Sequence, residues 1–354
     1  MRDWRVWFRG PGSHLFLYMP APDPPPVTAG IKSFRRLVDR SSRFVLTTHL
    51  NPDGDGIGSE CALALFLASK GKEVVILNPH ETPWNYKFLE SLFPVSLFEP
   101  SRHESTVREA DAIIVLDINH LGRLGALAEY VRKSPAKKVC IDHHLDPEEF
   151  ADLAILDDSS AATAQILYRL LKALDPSFVT QPIATALYAA IMTDTGSFRF
   201  PKTDASVHRM VADLLEHGAD PTAVYQEVYE HGPLNRLRLL GAMLAEMKTA
   251  CDGRVVYMVV TRDLFRQTET GEVDTDAFVP YTLSVLGAQI GLMFSELPDC
   301  VKVSFRSKGD IPINELAKRF GGNGHRNAAG ARITGLPLQE VISRILRDVE
   351  RFVR

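Results

Sequence analysis

Three apolar runs in this chain each stop on a residue able to bind a metal ion, and few folds can use that pattern. RFVLTT at 43–48 runs into His49, AIIVL at 112–116 into Asp117, and KVCI at 138–141 into Asp142, His143 and His144. Short apolar runs bounded by polar residues read as buried strands. A further strand is predicted at 73–77, separated from the first by helical spacing at 59–70. Strands alternating with helices give an α/β fold, a parallel sheet with helices on both faces. Ligands of such sheets bind where the strands end, which is where these Asp and His residues lie.

The segment after the first strand reads His49-Leu50-Asn51-Pro52-Asp53-Gly54-Asp55-Gly56-Ile57-Gly58-Ser59. It delivers one imidazole and two carboxylates to one point, with glycines that let the backbone turn sharply. Carboxylates so close repel unless a cation sits between them. Asp194, in MTDTG at 192–196, closes a helical segment. Alone, each feature reads as an ordinary turn or helix cap, with Ser59 capping the first. Together, three strand ends and one helix end supply enough oxygen and nitrogen ligands for two divalent ions. Carboxylate and imidazole without thiolate suit Mn2+, with Mg2+ or Co2+ as alternatives, whereas a structural zinc site uses cysteine. The cysteines, Cys61, Cys140, Cys251 and Cys300, are far apart in sequence and are expected to be buried thiols.

At 354 residues the chain is long for one core, so two domains are expected. Residues 1–30 read as a poorly ordered extension, with an upstream start or a weak signal peptide as alternatives; prolines at 20–26 separate it from the folded body. Residues 31–232 form the expected catalytic domain. Helical spacing recurs there at 161–174, 182–192, 205–217 and 221–229. A linker helix is expected within 233–250, and a smaller α/β domain over 251–354. In that second domain, strands are predicted at 255–260, 288–294 and 301–306, and helices at 314–320 and 338–352. A glycine-rich loop lies between those helices. No apolar run approaches the length of a membrane span, so a cytoplasmic protein is expected. The net charge of −4 argues against a general nucleic-acid binder, which must neutralise many phosphates. It suits a small anion held in a local positive pocket.

HLNPDGDGIGS, VLD, IDHH and MTDTG, in this order, resemble the four motifs of the DHH phosphoesterase family. GGNGHRNAAG at 321–330 resembles the glycine-histidine motif of the DHH-associated C-terminal domain. The resemblance runs from about Gly30 to the end and is strongest to the bacterial nanoRNase branch. Enzymes of that branch cleave oligoribonucleotides of a few residues and dephosphorylate 3′-phosphoadenosine-5′-phosphate (PAP). It implies that His49, Asp53 and Asp117 hold one metal ion, and that Asp55, Asp117, His143 and Asp194 hold a second. Asp117 bridges, His144 faces the substrate phosphate, and Asp142 orients the histidines, so His144, Asp142 and Asp117 form the implied catalytic group. Candidate substrate contacts are Arg306, Gly322, Gly324, His325, Arg326 and Arg123. The flank Ile118-Asn119-His120 and Asn323 depart from the family's usual residues.

The function implied is metal-dependent hydrolysis of short oligoribonucleotides and PAP. One alternative is a phosphodiesterase for cyclic or linear dinucleotides. Another, of a different class, is a non-catalytic nucleotide-binding regulatory module. Expected partners are short RNA or nucleotide substrates, with no membrane and no long duplex nucleic acid; a homodimer is a further option.

Overall fold

The first strand, β1 (Arg43–Thr47), is buried along all but its first residue, as a central strand of a parallel sheet must be. Around it, a computed structural model describes residues 25–353, with the side chains of residues 25–29 and of His325 outside that description. Most of the expected N-terminal extension, residues 1–24, therefore lies outside the described residues. Residues 25–30 do not belong with it: they begin helix α1 (Pro25–Arg40).

The first domain continues with α2 (Gly54–Ser69), β2 (Glu73–Asn78), β3 (Val95–Leu97), α3 (Pro100–Glu109), β4 (Ala112–Leu116) and α4 (Leu127–Lys133). Then come β5 (Lys137–Asp142), β6 (Leu153–Leu156), α5 (Thr163–Leu174), α6 (Gln181–Asp194), α7 (Ala205–Glu216) and α8 (Pro221–Tyr225). The sheet order is β3-β2-β1-β4-β5-β6, parallel throughout. Strand order reverses between β1 and β4, so the switch point lies between the ends carrying His49 and Asp117. A crevice opens outside the sheet at such a point.

Helix α2 starts at Gly54, five residues earlier than the sequence spacing suggested. Asp53 is the reason: its side chain accepts from the backbone N–H groups of Asp55 and Gly56, capping the helix. The expected cap at Ser59 lies inside the helix instead. At Gly56 a Cβ would stand 2.5 Å from Thr48 Oγ1, so only glycine lets α2 approach the end of β1.

Helix α9 (Leu234–Ala245) leads into the second domain. It ends short of the expected linker boundary, and β7 (Lys248–Ala250) already belongs to the second sheet. That sheet adds β8 (Val255–Val260), β9 (Ile290–Glu296), β10 (Cys300–Ser307), β11 (Asn323–His325) and β12 (Ala328–Thr334), in the order β11-β12-β10-β9-β8-β7. Only β8 and β9 pair in parallel. Helices α11 (Ile313–Arg319) and α12 (Leu338–Val349) pack on one core, α9 and α10 (Arg262–Thr268) on another. The glycine-rich run is not an open loop. It forms β11 and the turn into β12, and Gly324, at φ 143°, has no room for a Cβ beside Ala329. Among the described residues, no helix is long and apolar enough to cross a membrane. All four cysteines are free; Cys251 is only half-buried, unlike the other three.

Ala277 adopts φ 62°, a left-handed conformation that costs a residue with a Cβ about 1 kcal/mol. Ala277→Gly is therefore expected to stabilise the second domain by up to about 0.5 kcal/mol, since glycine's extra freedom in the unfolded chain, about 0.4–1 kcal/mol, offsets much of the gain. A thermal melt checks this, and a lower Tm would contradict it.

Candidate metal centre

Asp117 follows β4 with φ 60°, a left-handed turn that aspartate tolerates better than most residues. The turn places its carboxylate between two imidazoles. His49 Nε2 lies 3.3 Å from Asp117 Oδ2, and His143 Nε2 lies 3.5 Å from Asp117 Oδ1. His49 Nε2 is also 3.7 Å from Asp53 Oδ1. His143 Nε2 is 3.3 Å from Asp194 Oδ2 and 3.9 Å from Asp55 Oδ2. Two groups with metal-ligand spacing result, His49-Asp53-Asp117 and Asp55-His143-Asp194; a third joins Asp117, His143 and His144. Candidate ligands named from sequence on four separate segments thus meet in one place.

The orientation of the imidazoles suits metal binding. Nδ1 of His49 donates to the Leu50 carbonyl at 2.8 Å, and Nδ1 of His143 donates to the Ser160 carbonyl at 3.2 Å. Each ring therefore turns Nε2 toward the carboxylates, the arrangement by which outer hydrogen bonds fix the tautomer of a ligating histidine. His144 is held differently. Its Nδ1 donates to Asp142 Oδ1 at 2.7 Å and its backbone N–H to Asp142 Oδ2 at 3.1 Å, with Asp142 fully buried.

Asp55, Asp117 and His143 are buried, whereas the side chains of Asp53, Asp194 and His144 are 49 %, 28 % and 22 % exposed. The open side of the centre is therefore bounded by those three. Burial opposes charge on both inner imidazoles, but hydrogen bonds to Asp117 and Asp53 push His49 up to about 10. Asp194 and Asp117 together push His143 up to about 10 as well. Burial, reinforced by Asp117 and Asp53 against the pull of His143 and His144, raises Asp194 to about 6. Burial, with Asp117 and Asp194, lifts Asp55 well above the usual carboxylate range. Asp117 goes the other way: burial is outweighed by His143 and His49, which hold it well below that range. Without metal the cluster thus retains protons to offset its own negative charge. Divalent cations meet the same need, and the oxygen and nitrogen donors fit them.

Several supporting groups escaped the sequence reading. Asp55 accepts from the N–H groups of Thr163 and Ala164, at 2.6 and 3.0 Å, so it caps α5. Thr163 Oγ1 donates to Asp117 Oδ1 at 3.1 Å. A threonine opening a helix is too common a signal to single out. Asn78 accepts from the N–H of Thr48 and donates to Glu60, fixing the backbone just before His49. Burial raises the Glu60 carboxyl to about 8 against the opposing hydrogen bond from Asn78.

The substrate candidates are more scattered. Arg123 lies near enough to His49 to oppose its charge, and its carbonyl accepts from Leu50 N–H. Arg306, on β10, donates to the Phe305 carbonyl at 2.9 Å; burial lowers its guanidinium against the pull of Asp276, whose carboxyl also feels Asp53 of the first domain. That links Arg306 electrostatically to the crevice. Arg326 donates instead to the Asp310 carbonyl at 2.9 Å. Gly322 and Gly324 are needed for close packing within the β11–β12 turn, with Gly330 and Ala329 as neighbours. The side chain of His325 lies outside the described residues.

The DHH family N-terminal domain matches residues 43–191, and the DHHA1 domain matches 252–354. A Thermus thermophilus protein named bifunctional oligoribonuclease and PAP phosphatase NrnA is 31 % identical, over 86 % of this chain and 88 % of its own. The chain belongs to the DHH phosphoesterase family. The Bacillus subtilis NrnA is 27 % identical, over 89 % of this chain and 96 % of its own. An exopolyphosphatase-related protein from Bacteroides fragilis shares the fold with a TM-score of 0.86 at 30 % identity, covering 92 % of this chain and 97 % of that one. The DHH match ends at 191 and so stops short of Asp194, but geometry brings Asp194 to the same cluster.

Metal loading should release protons, because His49 and His143 must give theirs up to bind. Both imidazoles are pushed up to about 10, so at pH 7 they should release about two protons per loaded centre, and Asp55, lifted above the carboxylate range, adds to that count. Apparent metal affinity should then rise with pH from 7 toward 10. Calorimetry in buffers of different ionisation enthalpy counts the protons, and a count of zero would contradict these charge states.

Proposed function

We propose that this chain hydrolyses phosphoesters of short oligoribonucleotides and of PAP, using two divalent ions, Mn2+ foremost, with Mg2+ or Co2+ able to substitute. The observation carrying this reading is the placement of Asp117 between two ligand groups. NrnA proteins, related to this chain along most of its length, are named for both activities.

His49, Asp53 and Asp117 would hold one ion, and Asp55, Asp117, His143 and Asp194 the other. Such a pair supplies a hydroxide nucleophile at neutral pH and neutralises charge on the phosphoryl oxygens. Asp117 would be shared by both ions. His144, oriented by Asp142, faces the phosphate from the open side. Arg306 and His325 grip the distal phosphate or terminal nucleotide from the second domain. Gly322 and Gly324 let the β11–β12 turn approach the substrate, and Arg123 and Arg326 are more peripheral contacts. Remote binding of this kind positions the reacting phosphate. The second domain also closes the crevice, so a long strand meets a wall and a short one fits.

Turnover of di- to pentaribonucleotides and PAP with Mn2+ tests the reading. Activity should vanish in excess EDTA and return with Mn2+. Asp117→Ala should abolish turnover in a protein that still folds. A folded variant within about tenfold of the parent kcat, a loss of under about 1.4 kcal/mol in the barrier, would rule out the bridging role.

Arg306→Ala separates substrate grip from chemistry. It should lower kcat/KM on a dinucleotide by about tenfold to a hundredfold, as expected for a lost charge-assisted contact. A small chromogenic phosphoester, too short to reach Arg306, should lose much less. Equal losses on both would assign Arg306 to the chemistry or the fold.

A further inference from the structure

The flank of the second motif, Ile118-Asn119-His120, departs from the family's usual residues, and the structure gives it a task. Asn119 is buried at 4 % exposure, and its side-chain amide donates to the carbonyls of His144 and Leu145, both at 3.1 Å. The Asn119 backbone carbonyl accepts from the Glu148 N–H at 2.9 Å. His120 Nε2 donates to the Asp146 carbonyl at 2.6 Å, and the Leu121 N–H donates to Glu148 Oε2 at 2.9 Å. The segment from His144 to Glu148, which lacks helix and strand pairing, is therefore hung from the end of β4 by these bonds.

We infer that Asn119 is a positioning residue for His144. The histidine is gripped on both sides. Asp142 holds its ring and its N–H, and Asn119 holds the carbonyl that follows. Asp142 alone leaves the chain free to pivot beyond residue 144, and Asp146, at φ 58°, marks a sharp turn there. Fixing the carbonyls of residues 144 and 145 removes that pivot. The Asn119 amide uses both of its hydrogens in doing so, and no other uncharged side chain of its length offers two. The same segment meets the second domain, where Lys318 Nζ stands 3.5 Å from Asp146 Oδ2. The loop that orients His144 is thus also the one the second domain touches.

This inference rests on the proposed hydrolysis, in which His144 faces the phosphate. The test is a double-mutant cycle on the full chain with Mn2+ and a diribonucleotide. Asn119→Asp keeps the shape but sets a carboxylate against two carbonyl oxygens; Asn119→Ala removes the amide and serves if the first variant does not fold. Each is made alone and with His144→Ala. Alone, Asn119→Asp or Asn119→Ala should lower kcat by about tenfold or more, with KM and Mn2+ affinity by calorimetry within about threefold. In the His144→Ala background the same change should cost little further, because the group it positions is already gone. An equal fold-loss in both backgrounds, or weakened Mn2+ binding, would overturn the inference and make Asn119 a support of the fold or the metal ligands. A parent protein that fails to turn over the diribonucleotide would instead overturn the hydrolysis reading, and this inference with it.

Discussion

The Asp117 carboxylate presents one oxygen to His49 and the other to His143, and the rest of the molecule is arranged so that it can. A lone carboxylate can serve two sides only if both come within a few ångströms, which requires neighbouring strand ends on either side of a topological switch. Strand β1 brings His49 and Asp53, β4 brings Asp117, and β5 brings Asp142, His143 and His144. Helices supply what the strands cannot. The first turn of α2 carries Asp55, and the last residue of α6 carries Asp194.

Concentrating carboxylates in a buried place is costly, and the fold offsets the cost with fixed dipoles before any cation arrives. Asp53 accepts two N–H groups from the start of α2, and Asp55 accepts two from the start of α5. Both use the partial positive charge of a helix N-terminus. Asp194 has no such help, since it closes α6 at the negative end; there the charge of His143 opposes a pKa rise driven by burial. One cluster therefore contains carboxylates displaced in opposite directions, which makes its affinity for cations sensitive to pH.

The strand ends were legible because a buried parallel strand must be apolar and must stop abruptly, so His49, Asp117 and Asp142 to His144 stand out beside β1, β4 and β5. Boundaries set by side-chain capping were not. Asp53 opens α2 with glycines and a charged residue in its first turn, a composition that reads as loop, so apolar spacing alone starts the helix too late. Edge strands β3 and β6 are short and only partly buried, and went unread for that reason. Thr163, Asn78 and Asn119 are ordinary polar residues whose significance comes from partners 25 to 46 positions away along the chain. Periodicity carries no trace of such pairings. The glycine run reads as a loop by composition, yet Gly324 sits inside a tight β11–β12 turn where backbone contact leaves no room for a side chain.

An acidic centre in an acidic chain must still admit an anion, and the second domain supplies the opposite charge. Arg236 of α9 lies between the ring of Trp84, 5.8 Å away, and that of Phe278, 4.6 Å away, and donates to the Asp276 carbonyl. One guanidinium thus touches both domains, with aromatic faces that attract a cation and exclude water. Asp276 lies within the influence of Arg236, Lys302 and Arg306 on its own side and of Asp53 across the crevice. Lys302 is held instead by Glu272, at 2.9 Å, and Arg306 donates to the Phe305 carbonyl at 2.9 Å. On the proposed reading, a phosphate held at Arg306 would reach the centre around Asp117 with its other end. Attraction would then be carried by the second domain and chemistry by the first, and the distance between them would limit the length of a substrate that satisfies both.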